Sequence, residues 1–561
     1  MMKNLVYMNA KNGDKIIKID NYLLHSKYNP RIEARRFVEE NIEKNCKNIV
    51  IGLGLGYIIP ELENENYDME DILIIEPLSE LQGQIKSKYK IMYGVNEQEI
   101  KVEVSKLLKY FNREVKVIVL TPYKTIFSNE CKRILNVIKE VQMLNVVNDN
   151  TIRGQSVFWQ ENIIKNTLYA TLGNSLADLR NYYTAPVVIA SGGPSLMKQI
   201  PLLKKYRNKM ILLAAGSTLT TLVKEGVKPN YVISIDGTPG NYELHFKGFD
   251  YEGIELIYLF SNNYLIQKNY NEQHYYFIDK YDESLKNSLE IRYYFNDIAK
   301  IEGGGSVANY ALSVARFITT GPVAMIGQDL AYTNNETHSK HNLGRKIVTE
   351  DLLKERGAIK IDGYFNEKVW SDYSLISMKQ SFEKILKSIA FPETIFNCTE
   401  GGARIKGMEQ VPFKSFCDLY LNKEVPLLKV NKTFEYQRLK GLKENYQREI
   451  DVYNELISEL ENLIVRLKDI KIKGYFSNSD LKCLENFDTK FLEKQKEVFL
   501  ELIIEPIILD IMKDVELTDL SFVTTYNQSE KLYTELMNVI EISRNYTLEV
   551  LSELDMMEGY R

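Results

Sequence analysis

Cysteine, proline, histidine and tryptophan are all scarce in this chain of 561 residues. The five cysteines, Cys46, Cys131, Cys398, Cys417 and Cys483, are far apart, odd in number and free of any CxxC pair. That spacing excludes a disulfide framework and a cysteine zinc site, and it predicts a reducing compartment. Fourteen prolines leave no long Pro-rich linker. Charge of one sign is also missing. Lys and Arg number 71 against 76 Asp and Glu, a net charge of -5, which excludes the basic footprint of a general nucleic-acid binder. No apolar run approaches the roughly 20 residues of a membrane span. The opening MMKNLVYMNAKNGDKII has no apolar core of a signal peptide. The expectation is a cytoplasmic protein with no membrane span and no nucleic-acid partner.

What is present is a globular mixture, 44% hydrophobic and 26% charged, long enough for about two to four domains. The informative stretch is APVVIASGGPSLMKQI, residues 185–200. Val187 to Ala190 reads as a buried strand, Ser191-Gly192-Gly193 as a turn, and Pro194-Ser195 as the entry to a helix. A strand, a glycine turn and a helix N-terminus can expose backbone N–H groups to an anion. The same pattern also serves as a tight βα turn with no ligand.

Further βα units follow over 184–405. Strands near Met210–Ala214, Tyr231–Ile235 and Ile254–Phe260 end in Gly216-Ser217, Asp236-Gly237 and Ser261-Asn262. In an open parallel sheet such ends line the ligand crevice, so Ser191, Gly216, Ser217, Asp236 and Asn262 are expected to cluster. Gly303-Gly304-Gly305 exceeds what a cap needs and suggests close approach of a ligand to the backbone. Ser306 is then the N-cap, and Asn309 a candidate partner for a base or ribose. Val323–Ile326 ends in Gly327-Gln328-Asp329, and His338 and His341 follow in a polar loop. Asp329 and His338 supply a carboxylate and a base for proton transfer. Equally, Asp329 can cap a turn and His338 can be a loop residue. The two histidines lack an HExxH context, so no metal site is expected. Asn397, Thr399 and Glu400 close the domain, with Arg404 able to meet a phosphate or carboxylate.

Residues 1–150 read as a smaller α/β domain. Ile49–Ile51 leads into Gly52, Gly54 and Gly56, and Ile72–Ile75 ends in Glu76, where a nucleotide ribose would be held in a doubly wound fold. A nucleotide or adenosylmethionine site is one reading. Glycines kept only for helix–sheet packing are the other, and Pro60 in the following helix favours it. Residues 151–183 read as a helical connector. Residues 406–561 read as a helical domain, with bundle-like spacing of apolar side chains over 433–470, 487–515 and 527–553. The expected class is α/β: a Rossmann-like central domain with a parallel sheet, a smaller N-terminal α/β domain and a C-terminal α-helical domain.

Five motifs occur together and in order: ASGGPSL (190–196), YVISIDGTP (231–239), GGGSVANYAL (303–312), GQDLAYTNNETH (327–338) and NCTEGGARIKG (397–407). With HSKYNPRIEARRF (25–37), this set resembles the motility-associated factor family of bacterial flagellin glycosyltransferases. The more usual GxGPSL form is here Ser191-Gly192-Gly193-Pro194-Ser195-Leu196. The resemblance implies a sialyltransferase-like central domain. It implies a CMP-activated nonulosonic acid, pseudaminic or legionaminic, as donor and Ser or Thr of flagellin as acceptor. It also implies a CMP site at Ser191 to Ser195, site walls at Asp236, Asn309 and Glu400, and Asp329 and His338 as catalytic groups. No cofactor is required by this scheme, while Mg2+ and homo-oligomerisation stay open. Archaeal pterin pyrophosphokinases share parts of the central pattern, which gives a Mg2+-dependent alternative. A non-catalytic flagellin-binding assembly factor is another.

Overall fold

A computed structural model describes residues 5–44, 46–108, 115–293, 295–426, 436–514 and 521–559. The chain divides into two compact units. The first is Met1–Ser156 with Leu463–Leu481 and Ile504–Leu536. The second is Val157–Asn462 with Lys482–Ile503 and Met537–Arg561. The helices beyond residue 406 are thus shared between the units. Residues 127–183, where two helical patterns were expected, form one helix over Ser128–Leu172. The ends of two expected helical stretches, residues 433–435 and 515, lie outside the described residues.

The first unit opens with an antiparallel sheet of β1 (Leu5–Asn9), β2 (Lys15–Ile19) and β3 (Tyr22–Leu23). A parallel sheet follows, of β4 (Lys47–Ile51), β5 (Ile72–Glu76), β6 (Lys90–Tyr93) and β7 (Val115–Val119), in the order β6-β5-β4-β7. Between the two sheets, Asn29 caps the helix Pro30–Asn41 by accepting from Arg31 N and Ile32 N, and Ala34 and Val38 turn inward.

The glycine turn after β4 is closed by the protein itself. Glu76, fully buried at the end of β5, accepts from Leu53 N at 2.6 Å and Gly54 N at 2.9 Å. The Tyr123 hydroxyl donates to the same carboxylate at 2.6 Å and accepts from Gly54 N at 2.9 Å. His25 Nε2 accepts from Leu55 N at 2.9 Å. Burial pushes the Glu76 carboxyl upward, against these three hydrogen bonds and a fourth from Leu78 N at 2.8 Å. Each glycine is also required by packing. A Cβ on Gly52 would lie 2.6 Å from the Tyr123 ring, one on Gly54 2.4 Å from His25, and one on Gly56 2.8 Å from Ile85. The turn therefore presents no phosphate cradle, and Glu76 reads the backbone in place of a ribose.

The second unit is built on a ten-stranded parallel sheet. Its strands are β8 (Asn174–Ser175), β9 (Val187–Ala190), β10 (Ile211–Ala215), β11 (Tyr231–Ser234), β12 (Glu255–Leu259), β13 (His274–Asp279), β14 (Lys300–Ile301), β15 (Val323–Ile326), β18 (Ile395–Asn397) and β19 (Glu409–Gln410). A hairpin of β16 (Ile359–Asp362) and β17 (Lys368–Ser371) stands apart. The order is β14-β13-β12-β11-β10-β9-β15-β18-β19, with β8 also on β13. Both faces are covered, which is why the strands read as unbroken apolar runs. Val188 and Ala190 enter one core, and Val187 and Ile189 the other. The sequence predicts a helix near Leu343 to Arg356; the structure confines it to Glu350–Glu355, and residues 343–349 form a loop with Thr349 as N-cap.

Gly54→Ala combines a positive φ of 58° with the clash against His25. It is expected to destabilise the first unit by about 2–4 kcal/mol. Gly13→Ala, at φ 86° with nothing within 4 Å, should cost only about 1 kcal/mol of backbone strain. Thermal unfolding of the two variants checks the difference.

Candidate functional site

The chain runs outward from β9 through β10 to β14, then returns to place β15 on the other side of β9. The carboxyl ends of β9 and β15 therefore form the topological switch point, where open α/β sheets bind ligands. Ser191-Gly192-Gly193 and Gly327-Gln328-Asp329 meet there. Ser191 N donates to Ile326 O at 2.9 Å and Gly193 N to Gly327 O at 2.8 Å. A Cβ on Gly193 would lie 2.1 Å from Asp329 Oδ2, so only glycine fits.

Asp329 does not stand in the crevice as a free base. It is 2% exposed, and Oδ2 accepts from Ser195 Oγ at 2.7 Å and Ser195 N at 3.3 Å. Its carbonyl accepts from Ala403 N at 2.6 Å, and Gly402 packs so closely that a Cβ would meet that oxygen at 2.0 Å. Burial pushes the carboxyl upward, and the bonds from Ser195 oppose the shift. Asp329 thus ties three turns, 191–195, 327–330 and 400–403, to one point. It shares no hydrogen bond with His338, so the carboxylate orients Ser195 and not the imidazole.

The opposite wall comes from β10 and the loop after β15. Gly216 takes φ 49° and releases Ser217 and Thr218 at the start of the helix Thr218–Lys224. Ser339 N donates to Gly192 O at 2.8 Å, and Asn342 Nδ2 to Ser217 Oγ at 3.1 Å. This folds the loop onto the glycine turn and sets His338 one residue from that contact. His338 Nδ1 lies 3.1 Å from Thr337 Oγ1, and burial lowers its pKa below the ordinary value of 6.5. The ring is therefore neutral at pH 7, the form that accepts a proton. His341 pairs with Glu225 at 3.1 Å.

Four buried polar atoms in these turns have no partner among the described residues: Ser191 Oγ, Thr218 Oγ1, Gln328 Oε1 and the second carboxylate oxygen of Asp329, Oδ1. Thr218 Oγ1 lies 3.2 Å from the position of a Cβ on Gly192. An unmet buried polar group costs about 1–3 kcal/mol, and a group of them marks a place for a ligand or water. The backbone offers less than the sequence suggested, because Ser191, Gly193 and Ser195 spend their N–H groups inside the protein. Gly192 N has no acceptor among the described residues.

Several expected site residues serve the framework. Asn262, fully buried, accepts from Ser234 Oγ at 2.8 Å and Asn241 Nδ2 at 3.2 Å. Ser306 caps the helix Val307–Ile318 by accepting from Asn309 N. Asn309, also buried, is held by Ser306 Oγ at 2.8 Å and Met378 O at 3.2 Å, and so is not placed to read a base. The glycine run is explained by packing at two positions. A Cβ on Gly303 would lie 2.0 Å from Tyr310 and one on Gly304 2.6 Å from Ser381, while Gly305 has room. Asn397 spans Gln410 Oε1 at 2.7 Å and Thr399 N at 3.2 Å. Glu400 Oε2 accepts from Gln199 Nε2 and Phe413 N, both at 3.0 Å. Arg404 is exposed and bonds Asn366 at 2.6 Å, beside the β16–β17 hairpin. Asp236 is exposed at the end of β11 and accepts from Thr238 N at 2.8 Å.

Sequence reasoning missed Thr218, Asn342 and Lys198, whose ammonium donates to Glu400 O at 3.1 Å. It also passed over His245, half-buried with Nδ1 unpartnered, whose pKa burial lowers and the Asp236 charge raises. Only the placement of Thr218 and Asn342 beside motif residues could have signalled them. Among the described residues, no three His, Cys, Asp or Glu side chains gather to hold a metal ion, and no helix is long and apolar enough to cross a membrane.

A family model described as MptE-like, 6-hydroxymethylpterin diphosphokinase MptE-like, matches residues 161–335. No curated protein matches the chain. A solved structure, that of the MAf glycosyltransferase from Magnetospirillum magneticum AMB-1, is similar over 100% of this chain and 92% of that one. Its TM-score is 0.52 and its sequence identity 11%. At that identity the likeness shows a shared fold.

Asp329→Asn keeps an acceptor for Ser195 and should be tolerated far better than Asp329→Ala. The alanine variant leaves Ser195 Oγ unmet and the turn untied, at about 2–4 kcal/mol. Melting temperatures of the two variants measure this directly.

Proposed function

We propose that the crevice above β9 and β15 binds a nucleotide-activated sugar, and that the chain transfers the sugar to a protein hydroxyl. The donor is a CMP-activated nonulosonic acid of the pseudaminic or legionaminic type, and the acceptor is Ser or Thr of flagellin. The observation that carries this reading is the set of unpartnered polar atoms at the switch point, on Ser191, Thr218 and Gln328. The likeness to the solved glycosyltransferase supports it, since it spans the whole chain and not the central sheet alone.

The chemistry follows from the geometry. Departure of the CMP phosphate requires donors aimed at the charge that develops. Gly192 N–H and the hydroxyls of Ser191 and Thr218 are available, with the Lys198 ammonium close enough to act on Asp329. The tertiary sugar centre passes through an oxocarbenium-like state. His338, neutral at pH 7, accepts the proton of the attacking hydroxyl. Asp329 acts at one remove, by holding Ser195 and with it the glycine turn.

A second reading is favoured by the family model, which takes in the ends of β9, β10, β11 and β15 and carries the name of a pterin diphosphokinase. Such phosphoryl transfer needs a divalent cation bound with the nucleotide phosphates. The two readings separate on binding of CMP and ATP with and without Mg2+. Saturable CMP binding without metal, lost in Gly193→Ala, is the expected result. Tight ATP binding only with Mg2+, and none of CMP, would give the second reading.

His338→Gln should lower kcat by about 10²–10⁴-fold and leave CMP affinity unchanged. The acid limb of the wild-type kcat/KM profile should fall below pH 6.5, because a base with a lowered pKa keeps its lone pair to lower pH. Steady-state kinetics across pH 5 to 8, about the window in which histidine titrates, check both outcomes.

A further inference from the structure

The first unit has a switch point of its own. Its chain runs from β4 outward to β5 and β6, then returns to β7 on the other side of β4. A cavity of about 690 Å³ opens at the carboxyl ends of these two strands. Leu53 follows β4 into its wall, and Leu120 to Pro122 follow β7. Most of the remaining wall comes from the segment HSKYNPRIEARRF, which the proposed transfer does not use, and Leu24, Glu40, Asn41, Tyr57 and Ile58 complete it. The volume is that of a small-molecule site, in the place where open α/β sheets bind ligands.

The groups in this wall restrict what it can take. The glycine turn offers a phosphate no cradle, because the N–H groups of Leu53, Gly54 and Leu55 already belong to Glu76, Tyr123 and His25, and Arg36, a cation in the wall, is followed four residues on by the carboxylate of Glu40. His25 accepts from Leu55 N through Nε2, so its proton sits on Nδ1. Burial lowers its pKa to about 4 and keeps the ring neutral. Nδ1–H has no partner among the described residues and serves as a donor. Glu33 Oε2 accepts from Ser26 N at 2.6 Å, which brings this carboxylate next to His25 and leaves Oε1 as an acceptor. The wall therefore includes a donor on His25 and an acceptor on Glu33, whose partner Ser26 follows His25 in the chain. The Tyr57 ring stands edge-on to His25 at 5.2 Å, and Phe37 adds an apolar surface.

We propose that this cavity binds a phosphate-free heteroaromatic ligand of the nucleoside class, one carrying an exocyclic amine beside a ring nitrogen. The ring nitrogen accepts from His25 Nδ1–H, the amine donates to Glu33, and the ring lies against Tyr57 and Phe37. The site is distinct from the transfer crevice and stands whichever reading of that crevice holds. It makes the first unit a nucleotide-type fold that keeps its switch-point cavity and has lost its phosphate cradle.

The test is isothermal titration of the full chain with adenosine, cytidine and guanosine, with uridine and AMP as controls. At least one amine-bearing nucleoside should bind saturably, uridine at least about tenfold more weakly, and AMP no more tightly than adenosine. Glu33→Gln should weaken that binding at least about tenfold. Thr121→Trp, which fills the rim without touching the Ser26 contact, should abolish it. Both variants should keep the CMP affinity of the parent, and far-UV dichroism reports that they fold. Absence of binding by all three nucleosides would overturn the proposal. So would uridine binding equally well, or nucleoside binding unchanged by both substitutions. Binding lost in Gly193→Ala but kept in Thr121→Trp would place the nucleoside in the crevice of the second unit, and would equally overturn it.

Discussion

The buried carboxylate of Asp329 is the constraint on which the second unit's crevice depends. It reaches from the end of β15 under the turn that follows β9, takes both donors of Ser195, and leaves room only for glycine at position 193. Its own backbone is then fixed by Gly402 and Ala403. A charge in this position is costly unless it is hydrogen-bonded. The turns are consequently not free to relax separately, and the polar atoms around them stay unmatched. A site held in this way can be complementary to a developing charge without reorganising.

The first unit uses the same device to the opposite end. Glu76 also accepts from the N–H groups of a glycine turn, but it comes from β5, the next strand in the chain. Tyr123 and His25 complete the closure. In the second unit the acid lies across the switch point and supports the turn from beneath, so one face stays open. In the first, acid, hydroxyl and imidazole all stand where a phosphate and ribose would be. Two sheets of one topology therefore present different chemistry.

Much of the fold was legible in the residues. The apolar runs of β4, β5, β9, β10, β11 and β15 and the Ser306 cap are local matters of burial and capping. Boundaries that depended on distant partners were not legible. Nothing within 127–183 signals that one helix continues through it. Residues 343–349 are loop and not helix because their hydrogen bonds run back to Asn335, Thr337 and Asn342 in place of an i to i−4 ladder. In the site, the strand-end rule found the right turns. It could not tell which polar side chains within them face the crevice.

That last distinction separates what each level decides. The sequence by itself determined the α/β class, the switch-point turns and the identity of their glycines, because strand period, helix caps and the lack of a Cβ act over a few residues. Tertiary structure decided the allegiance of each polar group. Asn262, Asn309, Asn397 and Glu400 are spent on the framework, while Ser191, Thr218 and Gln328 are left unpaired. A hydrogen bond is satisfied by whatever lies about 3 Å away, and that neighbour is set by the packing of the whole unit.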